Sequence, residues 1–324
     1  MANAISGGLC TLKYGYESTY GSTSASINKV FGVGQLPNIS IKNNGAKIFG
    51  IGQRNAERIP PMKFEGTADF EFVVCSSHFL RLLTTTYTDT SIGGGEYQHD
   101  FYEAIREPSF TLEVTNATDS AISRRLQGCK VDELILTATV GEALKAKITA
   151  PFKTETTVTG SSSGTESREP LTFAHGSIYL NYGAGLTLQV DVQSIEIGIK
   201  QNVELLWGIG SRFATQAVEK QREYSLKFTI ALEDRAVILE KIWGGTGGPS
   251  NPTSISSCTF SFTNGLTGAS RNTLTLYLAN GIADEETQSM SPEEIVKEEV
   301  TFLFRESGNS AIFARAIDGT ATTP

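Results

Sequence analysis

This sequence is poor in the residues that usually carry chemistry. Histidine occurs three times, tryptophan twice and cysteine four times in 324 residues. The cysteines, Cys10, Cys75, Cys129 and Cys258, lie too far apart in sequence for a metal knuckle or a redox pair. They read as free thiols of a protein made in a reducing cytoplasm. A basic excess is also missing, since the formal net charge is −8. A surface that grips nucleic acid needs lysine and arginine to displace counterions, so tight DNA binding is excluded. A passive relation, in which the polymer passes without sticking, stays open. No stretch approaches the roughly 20 apolar residues of a membrane span. Met1-Ala2-Asn3-Ala4-Ile5-Ser6 has no basic region followed by an apolar run, so no secretory signal is expected.

The motifs of catalysis are missing too. His78, His99 and His175 match no zinc or metalloprotease spacing, and no Gly-x-Ser-x-Gly elbow supplies a nucleophile beside them. His78 falls in an apolar segment and reads as structural. Gly50-Ile51-Gly52 and Gly208-Ile209-Gly210 look superficially like a dinucleotide loop, but Asn55 and Phe213 stand where the third glycine belongs. No catalytic residue, metal ligand or cofactor is therefore assigned, and an enzyme is not expected.

What the chain does have is ordinary folded-protein composition, 39% hydrophobic and 19% charged, and an internal repeat. Ile41-Lys42-Asn43-Asn44 recurs as Ile199-Lys200-Gln201-Asn202, and Gly50-Ile51-Gly52-Gln53-Arg54-Asn55-Ala56 as Gly208-Ile209-Gly210-Ser211-Arg212-Phe213-Ala214. The spacing is constant, since 199 − 41 and 208 − 50 both give 158. Eight of the 16 positions from Ile41 to Ala56 are identical, where unrelated segments would share roughly one. Further on, Leu144 to Lys153 aligns with Val296 to Arg305 at a spacing of 152 (296 − 144). Loops change length and packed elements do not, so the drift fits two diverged copies of one domain. The boundary is expected in Thr159–Thr165, a Gly/Ser/Thr run, giving domains 1–160 and 161–324.

Most of the chain reads as strand. Phe70 and Phe72 alternate with Asp69 and Glu71, and Leu226, Phe228 and Ile230 repeat the pattern in the second copy. Further strands are expected at 109–114, 133–140, 144–152, 177–182, 187–199, 258–263, 273–278 and 299–305. Short helices are expected at 76–83, at 234–243 and from Ser291-Pro292-Glu293-Glu294. Each copy is thus a mainly antiparallel, sandwich-like unit with one short helix. In each, a strand enters Gly-Ile-Gly-x-Arg-x-Ala, which reads as an extended hairpin. Its glycines either form a local bulge, with Arg54 and Arg212 in internal salt bridges, or let the hairpin leave the sandwich and pair with a neighbouring subunit.

Phe173–Leu180, Ser194–Ile197, Gly208–Arg212 and Tyr224–Ile230, with the opening Tyr14–Ser22, resemble the tail tube proteins of long-tailed (siphovirus-like) bacteriophages and related archaeal viruses. Ala56 and Ala214 stand where many members have proline. The resemblance implies two tandem β-sandwich domains, each with a helix and a long hairpin that joins a multi-subunit β-barrel. Single-domain members are expected to form hexameric rings, so a doubled chain should form a trimeric, pseudo-hexameric ring. The implied function is that of a major tail tube subunit, whose stacked rings make a hollow tube in the virion that conducts the genome. The alternatives are a tail-tip or baseplate ring of the same fold, or a carbohydrate-binding β-sandwich with Tyr97, Tyr102 and Tyr179 as its exposed aromatics. The implied partners are copies of the chain, the tape measure, tail terminator and distal tail proteins, and passing double-stranded DNA. Synthesis would be in the host cytoplasm, with no membrane insertion. Expected inter-subunit hairpin residues are Gly50, Gly52, Arg54, Gly208, Gly210 and Arg212. Expected acidic residues facing the bore are Glu65, Asp69, Glu71, Glu204 and Glu223. The 88–107 loop, with Gly93, Gly94, Gly95, Tyr97 and Tyr102, is a candidate ring-stacking contact.

Overall fold

The computed structural model describes residues 10–23, 26–34, 37–103, 105–116, 123–158, 166–181, 186–188, 192–231, 244, 254–289, 297–306 and 313–321. The expected linker at 159–165 and the expected helices at 234–243 and 291–294 lie outside them. The fold is mainly β, dominated by a 15-stranded sheet that runs through both halves of the sequence.

Eight of its strands matter most. They are β1 (Asn38–Lys42), β2 (Glu65–Val74), β3 (Glu133–Thr139), β4 (Lys145–Phe152), β5 (Val192–Lys200), β6 (Glu223–Ala231), β7 (Thr273–Ser289) and β8 (Lys297–Glu306). All pair antiparallel, in the spatial order β1-β2-β4-β3-β5-β6-β8-β7. β2 shows why: its residues alternate between half-buried and buried along the whole strand, as period-two sequence alternation demands. Phe70, Phe72 and Val74 point into the core while Asp69 and Glu71 point away.

The first half closes its sandwich with a five-stranded sheet that includes Cys10–Tyr16 and Phe110–Asn116. Phe31 is the joint between the layers. Its ring lies 4.2 Å from Tyr14 on the small sheet and 4.8 Å from Phe70 on the large one, with all three buried. In the second half one strand serves both layers. Residues 273–281 of β7 pair with Ile255–Thr263 and residues 279–289 run along β8, so the two pairings overlap at 279–281. Asn280, at φ 55°, lies in the overlap, and the Phe304 ring occupies the space that a side chain at Gly281 would need.

Two local expectations are corrected. The segment expected as an α-helix at 76–83 is a 3₁₀ turn, His78–Leu83, closed by i→i+3 bonds such as Leu80 N–H to Ser77 C=O. Six residues pinned between strands are too few to nucleate an α-helix, and a tighter turn suffices. The segment expected as a loop at 88–107 is largely a β-hairpin, Thr86–Gly93 with Glu96–Tyr102. Its tip holds Gly93, Gly94 and Gly95 at φ 89°, 66° and 80°, a left-handed run that glycine adopts without a Cβ clash.

Candidate assembly interface

The repeated motif makes the same structure twice. Asn44 and Asn202 both take positive φ, and both side-chain amides donate to a backbone carbonyl, of Lys63 and Gln221 respectively. Gln53 N–H donates to Gly50 C=O at one tip, and Ser211 N–H to Gly208 C=O at the other. Gly52 and Gly210 supply the left-handed residue of each turn, φ 80° and 93°, with open space where a Cβ would be. Ile51 and Ile209, between the glycines, are fully exposed.

The two hairpins differ in what they touch. The second, Glu204–Leu206 with Gln216–Val218, lies against the first half of the chain. Phe64 N–H donates to Arg212 C=O at 2.8 Å, the Arg212 guanidinium donates to Asn43 Oδ1 at 2.7 Å, and the Phe213 ring sits 5.5 Å from Phe64. Lys63 Nζ lies over the Trp207 ring at 4.4 Å. Ala214 and Ala217 are buried there. The first hairpin, Ile48–Phe49 with Ala56–Arg58, leaves Ile48, Phe49, Ile59 and Arg54 exposed. Among the described residues the hydrogen-bond partner of the Arg212 guanidinium is an amide oxygen, that of Asn43.

The face of the eight-stranded sheet that carries Glu65, Asp69 and Glu71 is charged but not uniformly acidic. Glu65 lies opposite Lys42, Glu71 opposite Lys147, Glu133 opposite Lys200 and Glu196 opposite Lys227. Lys200 also faces Glu223 at the start of β6. Cross-strand pairs of opposite sign stabilise the sheet modestly and satisfy the lysines. The Lys63 ammonium first, and then Asn44, hold the Glu65 carboxyl below its ordinary value. Asp69 accepts from Thr149 Oγ1 at 2.7 Å. Glu204 sits on the second hairpin rather than on this face, 2.7 Å from Lys220 Nζ.

In a comparison with known families, the family described as phage tail tube protein matches residues 7–304. The chain belongs to the phage tail tube protein family. That makes it a structural component of a virion tail. No curated protein matches it. Among the described residues of this tail tube protein, no helix is long and apolar enough to cross a membrane.

One cluster escaped the sequence reading. His78, His99 and Asp318 converge from three separate elements and are all buried. His99 Nδ1 lies 2.7 Å from Asp89 Oδ1 and its Nε2 3.2 Å from Asp318 Oδ1, while His78 Nε2 lies 2.6 Å from Asp318 Oδ2. The possible ligand atoms touch one another directly, so the geometry is that of a closed ion-pair network rather than a cage around an ion. Burial opposes a charge on His99, but hydrogen bonds to Asp318 and Asp89 outweigh it and raise its pKa. Burial dominates at His78 and lowers its pKa. Asp318 is buried too, yet the two histidines hold its carboxyl far below the ordinary range. The network ties the 86–102 hairpin to the strand Ala314–Asp318, which the sequence spacing could not foretell. The same hairpin carries Tyr97 opposite Asp318, and Tyr102 Oη lies 3.1 Å from Thr88 Oγ1. Cys75, Cys129 and Cys258 are buried free thiols, and Cys10 is half-buried.

Proposed function

We propose that this protein is the major tail tube subunit of a long-tailed phage or a related archaeal virus, built from two diverged copies of one tube domain, 1–160 and 161–324. Three chains close a pseudo-hexameric ring, and rings stack into the tube that conducts the genome. One observation carries the reading. The strand order β1-β2-β4-β3 of the first half recurs as β5-β6-β8-β7 in the second, and the two quartets join edge to edge through β3 and β5. A unit that adds to its own copy in this way can go on adding until the sheet closes, which removes every free edge.

Eight strands from each of three chains make a barrel of twenty-four. At about 4.8 Å between strands and a tilt of about 40°, that is roughly 48 Å across at the backbone. About 16 strands already enclose an aqueous channel. The charged face of the sheet lines the bore in this reading, with Glu65, Asp69, Glu71 and Glu223 on it. Lys42, Lys147, Lys200 and Lys227 there lie opposite carboxylates, so phosphate meets few uncompensated cations, and the DNA slides. The 86–102 hairpin, with its triple-glycine tip, is a candidate contact between stacked rings. The tape measure, terminator and distal tail proteins would bind the ends of the tube.

Electron microscopy of the purified protein at high concentration tests this. Hollow tubes with a regular axial repeat and three-fold or apparent six-fold end views are expected. Isolated rings would favour a tip or baseplate role, and featureless monomers a carbohydrate-binding module.

A further inference from the structure

The eight-stranded stretch of sheet ends in two edges. β1 pairs with β2 and, among the described residues, with no strand on its other side. Residues 282–289 of β7 pair with β8, while the strand Ile255–Thr263 that flanks the start of β7 reaches only as far as Gly281. β1 stands to the first half as β5 stands to the second, at a spacing of 158. Its register on β2 (Lys42 opposite Glu65, Ile41 opposite Gly66) is that of β5 on β6 (Lys200 opposite Glu223, Ile199 opposite Tyr224). The end of β7 stands to the second half as β3 stands to the first, at a spacing of 152: Glu133 lies opposite Thr149, and Glu285 opposite Thr301.

The internal seam between β3 and β5 is therefore a template for a seam between chains. Resting on the ring reading above, we infer that the end of β7 pairs antiparallel with β1 of a second copy, placing Glu285 opposite Lys42, Glu286 opposite Ile41, Thr287 opposite Ser40, Gln288 opposite Ile39 and Ser289 opposite Asn38. This transposes the observed register of Glu133 on Lys200, Leu134 on Ile199 and Thr137 on Glu196.

Three observations support it. Ile199 is fully buried, while Ile41, the same residue in the same register on its own hairpin, is 39% exposed. What Ile41 lacks is a strand where β3 lies against Ile199. The Glu133–Lys200 pair at the internal seam is reproduced in sign and position by Glu285–Lys42. Finally, the second hairpin is seated on Asn43 and Phe64, but the first leaves Ile48, Phe49 and Arg54 exposed. In the transposed seam the first hairpin of the copy that supplies β1 comes to lie beside Gln201 and Arg222 of the copy that supplies β7, the counterparts of Asn43 and Phe64.

The two seams are not equal. Leu134 and Leu136 are buried at the internal one, and their counterparts are Glu286 and Gln288. The seam between chains thus relies more on the backbone ladder and on Lys42–Glu285 than on apolar burial, and it weakens with salt.

Cysteine pairs read the register. Directly opposed residues bring Cβ atoms to about 4.5–5.5 Å, within reach of a disulfide after slight adjustment. Ser40→Cys with Thr287→Cys, oxidised in assembled material, should give covalent multimers up to a closed trimer on a non-reducing gel. Ser40→Cys with Glu285→Cys, two residues out of register, should give far less. A charge swap is the second arm: Lys42→Glu should raise the concentration needed for assembly about fivefold, and adding Glu285→Lys should restore it. Tubes or rings that cross-link through Glu285→Cys and not Thr287→Cys, or a swap without rescue, would overturn this register and leave the ring reading standing. A wild-type chain that stays monomeric at high concentration would overturn both.

Discussion

Asn44 and Asn202 hold the same left-handed backbone conformation 158 residues apart, φ 44° and 52°, and each ties its turn to the strand that follows. The left-handed region strains a residue with a Cβ, and asparagine tolerates it better than most, here with its amide bonded to a carbonyl 19 residues on. Replacing Asn202 by Ala removes the bond and keeps the strain, so stability should fall by about 1–2 kcal/mol. Asn202→Gly relieves the strain and should cost less. Denaturant melts of both variants check this, and equal losses would show that the conformation contributes nothing.

Phe31 joins the two layers of the first half, with ring contacts to Tyr14, Phe70, Phe72 and Phe110. Phe31→Ala should cost about 3–5 kcal/mol, since the cavity lies between two sheets that cannot both collapse into it. Urea unfolding monitored by circular dichroism measures the loss.

Gly66 lies opposite Phe152, and a Cβ there would fall 2.2 Å from that ring. Gly66→Val should therefore destabilise by about 1–3 kcal/mol through overpacking. The double variant Gly66→Val with Phe152→Leu should recover part of it. A thermal melt decides, and a neutral single variant would mean the ring can move aside.

The Asp318 network sets a pH dependence whose sign is opposite for its two histidines. His99 has its pKa raised above the ordinary 6.5, so its contribution is complete below that value and is lost as the pH rises through the folded-state pKa. His78 has its pKa lowered, so its contribution is present above the ordinary value and falls away in acid. His99→Gln should flatten the decline of stability on the alkaline side and leave the acid limb in place. Asp318→Asn should cost about 3 kcal/mol at neutral pH, because it strips two buried histidines of their carboxylate. Stability measured from pH 5 to 9 on wild type and both variants reads these slopes.

Reversing charge on the sheet face tests the bore. Glu65→Lys with Glu71→Lys and Glu223→Lys leaves neighbouring lysines uncompensated, and tubes or virions carrying it should release DNA more slowly and with a stronger dependence on salt. Ejection kinetics unchanged from wild type would remove this face from the lumen.

The strands of the principal sheet were legible because period-two alternation is a local property. Phe70-Glu71-Phe72 and Leu226-Lys227-Phe228 each declare an inward and an outward face without reference to anything distant. The Gly-Ile-Gly hairpin was legible as a hairpin because its motif recurs in the chain, whereas the left-handed turn at Gly52 and Gly210 came only with the structure. The triple-glycine hairpin at 86–102 reads as a loop in sequence because its strands are mostly polar, and the burial of His99, Asp100 and Phe101 depends on pairing with the distant strand Ala314–Asp318. His99 gave no signal at all: its partners Asp89 and Asp318 stand 10 and 219 residues away.

The amino-acid sequence by itself determined the β class, the repeat at 158 residues, the presence of a hairpin in each copy and the resemblance to tail tube proteins, because propensity, periodicity and self-similarity are read along the chain. Only the tertiary structure decided that β3 lies beside β5, that Arg212 reaches Asn43 while Arg54 stays exposed, and that Glu65, Glu71, Glu133 and Glu196 of the charged face each lie opposite a lysine. Strand neighbours and buried ion pairs are set by non-local closure, in which edges, registers and charges from distant segments must match at once, and no local pattern encodes that match.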